Sequence, residues 1–86
     1  MTTAEKLEMA LVCLEPQRLI IQDDSALHAG HAGNTGGAHY TITIVSSHFE
    51  HLSMLKRHRL VYDAAASLMK QDIHALSIQA KTPQET

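Results

Sequence analysis

With a single cysteine, Cys13, among 86 residues, no disulfide within the chain can hold the fold, so one hydrophobic core must do so. A 60-residue domain buries about 60% of its unfolded surface, and a chain of this length a little more. The reading is therefore one small domain spanning residues 1–86. One thiol marks no oxidising compartment, and Met1-Thr2-Thr3-Ala4-Glu5-Lys6 lacks the basic start and apolar stretch of a signal peptide. No run nears the ~18 apolar residues of a membrane span. The expectation is a soluble cytoplasmic protein that does not touch a membrane. A formal net charge of -2 excludes a global attraction to phosphate, so nucleic-acid binding would need a local basic patch.

The periodicities fix an order of elements. Thr2 and Glu5 have the spacing of a capping box, and Leu7, Leu11 and Leu14 follow at helical spacing until Pro16, which predicts a helix over 3–15. Cys13 falls off that leucine stripe and is given no role. Leu19-Ile20-Ile21 reads as a short strand ended by the turn formers Asp23-Asp24-Ser25. Residues 25–38 form a long loop, a length that is usually functional or disordered in a small domain. Tyr40, Ile42 and Ile44 alternate with Thr41, Thr43 and Val45 as a strand with one buried face.

Ser47 and Glu50 make a second capping signal over a short helical turn, and Ser53 can cap a longer helix from Met54 to about Met69. Leu55, His58, Val61, Tyr62, Ala65, Leu68 and Met69 are its expected inner stripe. Ile73 to Lys81 alternates again, with His74, Leu76, Ile78 and Ala80 expected on one face and Thr82-Pro83 ending regular structure before a short tail, 82–86. The order helix, strand, strand, short helix, long helix, strand describes an α+β domain, a three-stranded sheet covered by helices on one side.

Seven histidines stand against the one cysteine. Two lie in the glycine-rich loop His28-Ala29-Gly30-His31-Ala32-Gly33, and His74 opens the last strand. Imidazole binds transition metals at neutral pH, whereas iron-sulfur chemistry prefers thiolates. A chain with many imidazoles and one thiol can hold such a cofactor only with donors from elsewhere, which points to a shared metal site. The bland alternatives are a half-buried, backbone-satisfied His74 and a solvated polar loop around His28 and His31. His58 reads as a core-edge residue holding a hydrogen bond, or as a group supporting His74. His39, His48 and His51 read as surface or capping residues.

Arg57-His58-Arg59-Leu60-Val61-Tyr62, followed by Ile73-His74-Ala75-Leu76-Ser77-Ile78 and Thr82-Pro83, resembles the signature of the BolA family. Asp24-Ser25, the His28 loop and Ile44-Val45-Ser46-Ser47-His48-Phe49-Glu50 stand in that family's order, so the resemblance covers nearly the whole chain. It implies a mixed three-stranded sheet in a type II KH-like fold, no enzymatic activity, and partnership with a monothiol glutaredoxin. The chain, a monomer alone, would form a heterodimer that holds or passes a [2Fe-2S] cluster, with sulfur ligands from the glutaredoxin and its glutathione and none of the cluster held by the isolated chain. The family's histidine before the last strand's Ala-Leu maps onto His74. Its loop ligand maps onto His28, with His31 three residues away as an alternative. One departure is His51, where the family usually has glycine after Phe-Glu, which puts a tight backbone path in question.

Family members are also described as transcriptional regulators, which makes DNA a second partner to weigh. Lys56, Arg57 and Arg59 gather three cations within four residues near the start of the long helix, either as phosphate contacts or as a solvated partner-docking face. Gly33-Asn34-Thr35-Gly36 matches the G-x-x-G string of RNA-binding KH domains, but it sits between two strands rather than two helices. Tyr40, Phe49 and Tyr62 alone make no platform for stacking bases. Ser25 with Asp23, Asp24 and His28 supplies the residue types of a hydrolytic triad without a nucleophile elbow, and a polar turn explains them equally.

Overall fold

The computed structural model describes residues 2–24 and 38–86. The predicted loop at 25–38, with His28 and His31, thus lies outside the described residues except for Ala38. Helix α1 (Thr3–Leu11) begins at a complete capping box, in which Thr2 accepts from the Glu5 amide and Glu5 accepts from the Thr2 amide. It tightens into a 3-10 turn over Val12–Leu14 and stops at Glu15, which takes the left-handed conformation at φ 48°.

Strands β1 (Arg18–Asp23), β2 (Ala38–Val45) and β3 (Ile73–Lys81) form a sheet in the order β1-β2-β3, antiparallel between β1 and β2 and parallel between β2 and β3. The register stacks the inward residues in rows across the sheet: Leu19, Ile44 and Ala80; Ile21, Ile42 and Ile78; and Tyr40 with Leu76, where exposed Asp23 pairs with Tyr40. Against this face pack Leu7, Leu11 and Leu14 from the first helical segment, Phe49, and Val61, Ala65 and Leu68 from the later helices. Phe49 is fully buried, and its truncation to alanine would cost about 3–5 kcal/mol by the usual large-to-small scale. The outward face carries the polar Thr41, Thr43, Ser77 and Gln79, with Ile20 exposed beside Thr43.

Four expectations shift. The short turn Ser47–Phe49 is capped by Ser46 rather than Ser47; the buried Ser46 hydroxyl accepts from the His48 amide at 3.1 Å and donates to the Leu14 carbonyl at 2.6 Å. That second bond ties the end of α1 to the end of β2, which local spacing cannot foresee. The long helix is two helices, α2 (Met54–Ala64), capped by Ser53 as expected, and α3 (Ala66–Gln71), separated at Ala65 with ψ 12°. Ala64-Ala65-Ala66 are strong helix formers, so the break is not a matter of propensity; it falls where Ala65 is fully buried in the core. Leu55 and Tyr62 are exposed rather than on the inner stripe, and Arg57 takes an inward place instead. His74 does not share a face with Leu76, because β3 is irregular at that point.

Candidate functional site

Ala38 pairs with Ile73 but His39 pairs with Ala75, so one residue of β3, His74, has no partner on β2. This is a β-bulge, and it breaks the alternation: Ile73 and Leu76, three apart, are both buried, while His74 and Ala75 are exposed. The bulge turns the His74 ring toward the outer side of the sheet, beside His39. The two ring centroids are 5.1 Å apart with the rings inclined at 45°. His39 was not singled out from the sequence as a site residue, since its partner is set by the register of β2 against β3 and not by its spacing from other histidines.

Carboxylates surround this end of the sheet. The Asp24 amide donates to the His39 carbonyl at 2.7 Å, and the Asp24 carboxylate accepts from Thr41 and from Gln22. Asp72, just before β3, pairs with Lys6 at 3.8 Å. Burial pushes the Tyr40 hydroxyl above its ordinary pKa, and the negative charge of Asp23 adds to the effect.

Cys13 is exposed at the opposite end of the molecule, next to Leu14, whose carbonyl is tied to Ser46 beyond the far end of β2. The length of β2, about 3.3 Å per residue over eight residues, separates that thiol from His39. At the bulge the described residues therefore offer nitrogen and oxygen donors and no sulfur. Among them no three metal-ligating side chains come together. The residues present fit a group that takes one or two imidazoles from this chain and its remaining ligands from elsewhere.

The basic patch divides. Lys56 and Arg59 are exposed, but Arg57 is 7% exposed and its guanidinium points inward. Its Nη1 donates to the Glu85 carboxylate at 2.6 Å and to the Ala80 carbonyl at 3.2 Å, Nη2 donates to Glu85 at 3.2 Å, and Nε donates to the Leu52 carbonyl at 3.0 Å. Arg57 is a structural tie between the start of α2, the end of β3 and the Thr82-capped turn Pro83–Glu85. Arginine's five donors match that set of acceptors, which a lysine could not. It is not part of an exposed docking patch.

Tyr62 reaches from α2 to β3, its hydroxyl donating to the Leu76 carbonyl at 2.8 Å, two residues from His74. With Leu55 it gives α2 an exposed apolar strip beside Lys56 and Arg59. His58 is half-buried, and its Nε2 is buried without a hydrogen-bond partner among the described residues, which replaces the bond expected there. His48 pairs with Glu15 at 3.0 Å on the surface. His51 keeps the backbone path of a glycine, at φ 66°.

No helix among the described residues is long and apolar enough to cross a membrane. The family model for BolA-like proteins matches residues 12–85. The chain is 45% identical over 99% of its length to a SufE-like protein 1, chloroplastic/mitochondrial, from Arabidopsis thaliana, and covers 24% of that protein. It is 47% identical over 85% of its length to the chloroplastic protein BOLA1 of the same plant, covering 48% of it, and 45% identical to the mouse BolA-like protein 1, covering 53%. The chain thus spans between about a quarter and about half of these relatives. Plastid and mitochondrial relatives do not support the cytoplasm over an organelle. Among solved structures, BolA1 from Arabidopsis thaliana superposes with a TM-score of 0.86 at 42% identity, covering 100% of this chain and 97% of that one. The BolA domain of SufE1 from the same plant gives 0.86 at 41% identity, covering 100% and 98%. The capped helix, the mixed sheet and the matched sequence together place this chain in the BolA-like family.

Proposed function

We propose that this protein is a non-enzymatic adaptor in iron-sulfur cluster assembly or trafficking that docks on a monothiol glutaredoxin and contributes nitrogen ligands to a shared [2Fe-2S] cluster. The observation that carries the reading is the bulged, exposed His74 with a second imidazole, His39, at 5.1 Å. A relative in which a BolA domain belongs to a SufE-like protein adds support for an iron-sulfur context. The cluster is cargo here, and its chemistry when bound is one-electron transfer at a potential that imidazole ligation raises relative to all-thiolate ligation.

The chain's own residues do the rest. His74 presents a ring nitrogen from a rigid strand, so little is lost in ordering it when a partner arrives. His28, or His31 in its place, remains the loop donor expected from the resemblance, and His39 is a further candidate donor already beside His74. The glutaredoxin and its glutathione supply thiolates, since Cys13 is remote. Leu55, Tyr62, Lys56 and Arg59 form the docking face next to β3, with an apolar middle and cationic edge. A reducing compartment such as the cytoplasm suits a lone exposed thiol. The helix and strand order supports describing the fold as type II KH-like. The rival role, a DNA-binding regulator, is left with two exposed cations in its patch, Lys56 and Arg59, because Arg57 turns inward.

The test is visible absorption and circular dichroism of a cluster-loaded monothiol glutaredoxin mixed with this protein. A spectral change with the wild type, lost with His74→Ala, supports the reading, and His28→Ala, His31→Ala and His39→Ala identify the other donor. Identical spectra for the wild type and His74→Ala overturn it.

A further inference from the structure

A metal ion bound to an imidazole sits ~2.0–2.1 Å from the ring nitrogen. It is then about 3.2 Å from the ring centroid, so centroids 5.1 Å apart subtend about 105° at a common ion, near the ~109° of a tetrahedral site. We propose that His39 and His74 form a two-nitrogen chelate for a single divalent transition-metal ion of the Zn2+ or Cu2+ class, bound by the isolated chain with water at the remaining positions. A corollary, which rests on the glutaredoxin reading above, is that the ion and the shared cluster compete for His74.

Three features of the fold carry this. The bulge removes the constraint that neighbouring residues alternate, so His74 comes to the same side as His39 although Ala75 occupies the register position opposite it. The residue paired with His39 on β3 is Ala75, whose side chain is a single methyl group. Both donors lie on paired strands rather than on a loop, so the chelate is assembled before the ion arrives and loses little entropy on closing. The Asp24 carboxylate, beside His39 across the β1-β2 pair, supplies negative charge without being a ligand, being engaged by Thr41 and Gln22. The Irving–Williams order places Cu2+ above Zn2+ at such a nitrogen site.

The experiment uses the full chain carrying Cys13→Ser, so that the exposed thiol neither binds nor reduces the metal. Calorimetric titration with ZnCl2 and with CuCl2, without glutaredoxin, is expected to give one ion per chain. His39→Ala and His74→Ala should each weaken binding at least tenfold, and the double variant, which keeps neither imidazole, should bind more weakly than either single variant. Electron paramagnetic resonance of the Cu2+ form should show two imidazole nitrogens. Full binding by His39→Ala, or loss of binding in His28→Ala or His31→Ala instead, overturns the chelate. Saturating Zn2+ should abolish the spectral change with cluster-loaded glutaredoxin, and an unaffected change overturns the competition. Failure of ion binding leaves the cluster experiment standing, because that needs only one imidazole from this chain. If calorimetry shows ion binding but the metal-free protein leaves the spectrum of cluster-loaded glutaredoxin unchanged, only the adaptor reading is refuted.

Discussion

Arg57 and Glu85 are joined by a forked ion pair, with Nη1 at 2.6 Å and Nη2 at 3.2 Å from the two carboxylate oxygens. The arginine side chain is 9% exposed and the glutamate 46%, so one partner is desolvated and the other still touches water. The pair matters less as a Coulomb interaction than as part of a set, because the same guanidinium also satisfies the carbonyls of Leu52 and Ala80.

Arg57→Ala should therefore destabilise the protein by about 2–3 kcal/mol, chiefly by leaving two carbonyls without donors. Arg57→Lys should recover only part of that, since an ammonium cannot reproduce the fork. Urea unfolding measured by far-UV circular dichroism checks both. Equal stability of the lysine variant and the wild type would show that charge alone suffices.

Hydrogen bonding from Arg57, with a further bond from the Thr82 amide, holds the Glu85 carboxyl down to a pKa of about 2. An unfolded glutamate titrates near 4.3. A depressed folded pKa means stability present above about pH 4.3 and lost as pH falls toward 2. The acid unfolding of the wild type should be steeper across that window than that of Glu85→Gln, and the two curves should run parallel above pH 6. Curves that stay parallel down to pH 2 would contradict the assignment.

His51, at φ 66°, stands in backbone territory that costs a residue with a Cβ about 1–2 kcal/mol. His51→Gly should raise stability by about 0.5–1 kcal/mol after the glycine's larger unfolded-state entropy is counted. Glu15→Gly, at φ 48°, should gain less, since it gives up the pair with His48. Thermal unfolding of the two variants ranks them, and a loss of stability in His51→Gly would refute the strain argument.

His58→Leu should stabilise the fold by about 1 kcal/mol, because Nε2 is buried with no partner among the described residues and leucine fills a similar volume without a polar atom. Urea unfolding would expose the opposite result, a destabilisation, and with it a bond that His58 makes through water.

Much of the fold was legible in local patterns. The Thr2 and Glu5 capping box, the leucine stripe, the Tyr40-Ile42-Ile44 alternation and the Ser53 cap all appear as read, because each depends on residues a few positions apart. His74 was legible as a candidate by resemblance, but its exposure was not. Alternation assigns it to the inner face, and only the pairing of β3 with β2 introduces the extra residue that turns it out.

The amino-acid order by itself determined the order of helices and strands, the single core and the family, though not the division of the long helix at Ala65, since helix and strand periodicity and the family's motifs are properties of the chain read along its length. Tertiary structure decided what the histidines and arginines face. The bulge at His74, the approach of His39, the inward turn of Arg57 and the Ser46 bond to Leu14 join residues 23 to 36 positions apart, and such contacts follow from how strands register and helices pack, which no local spacing encodes.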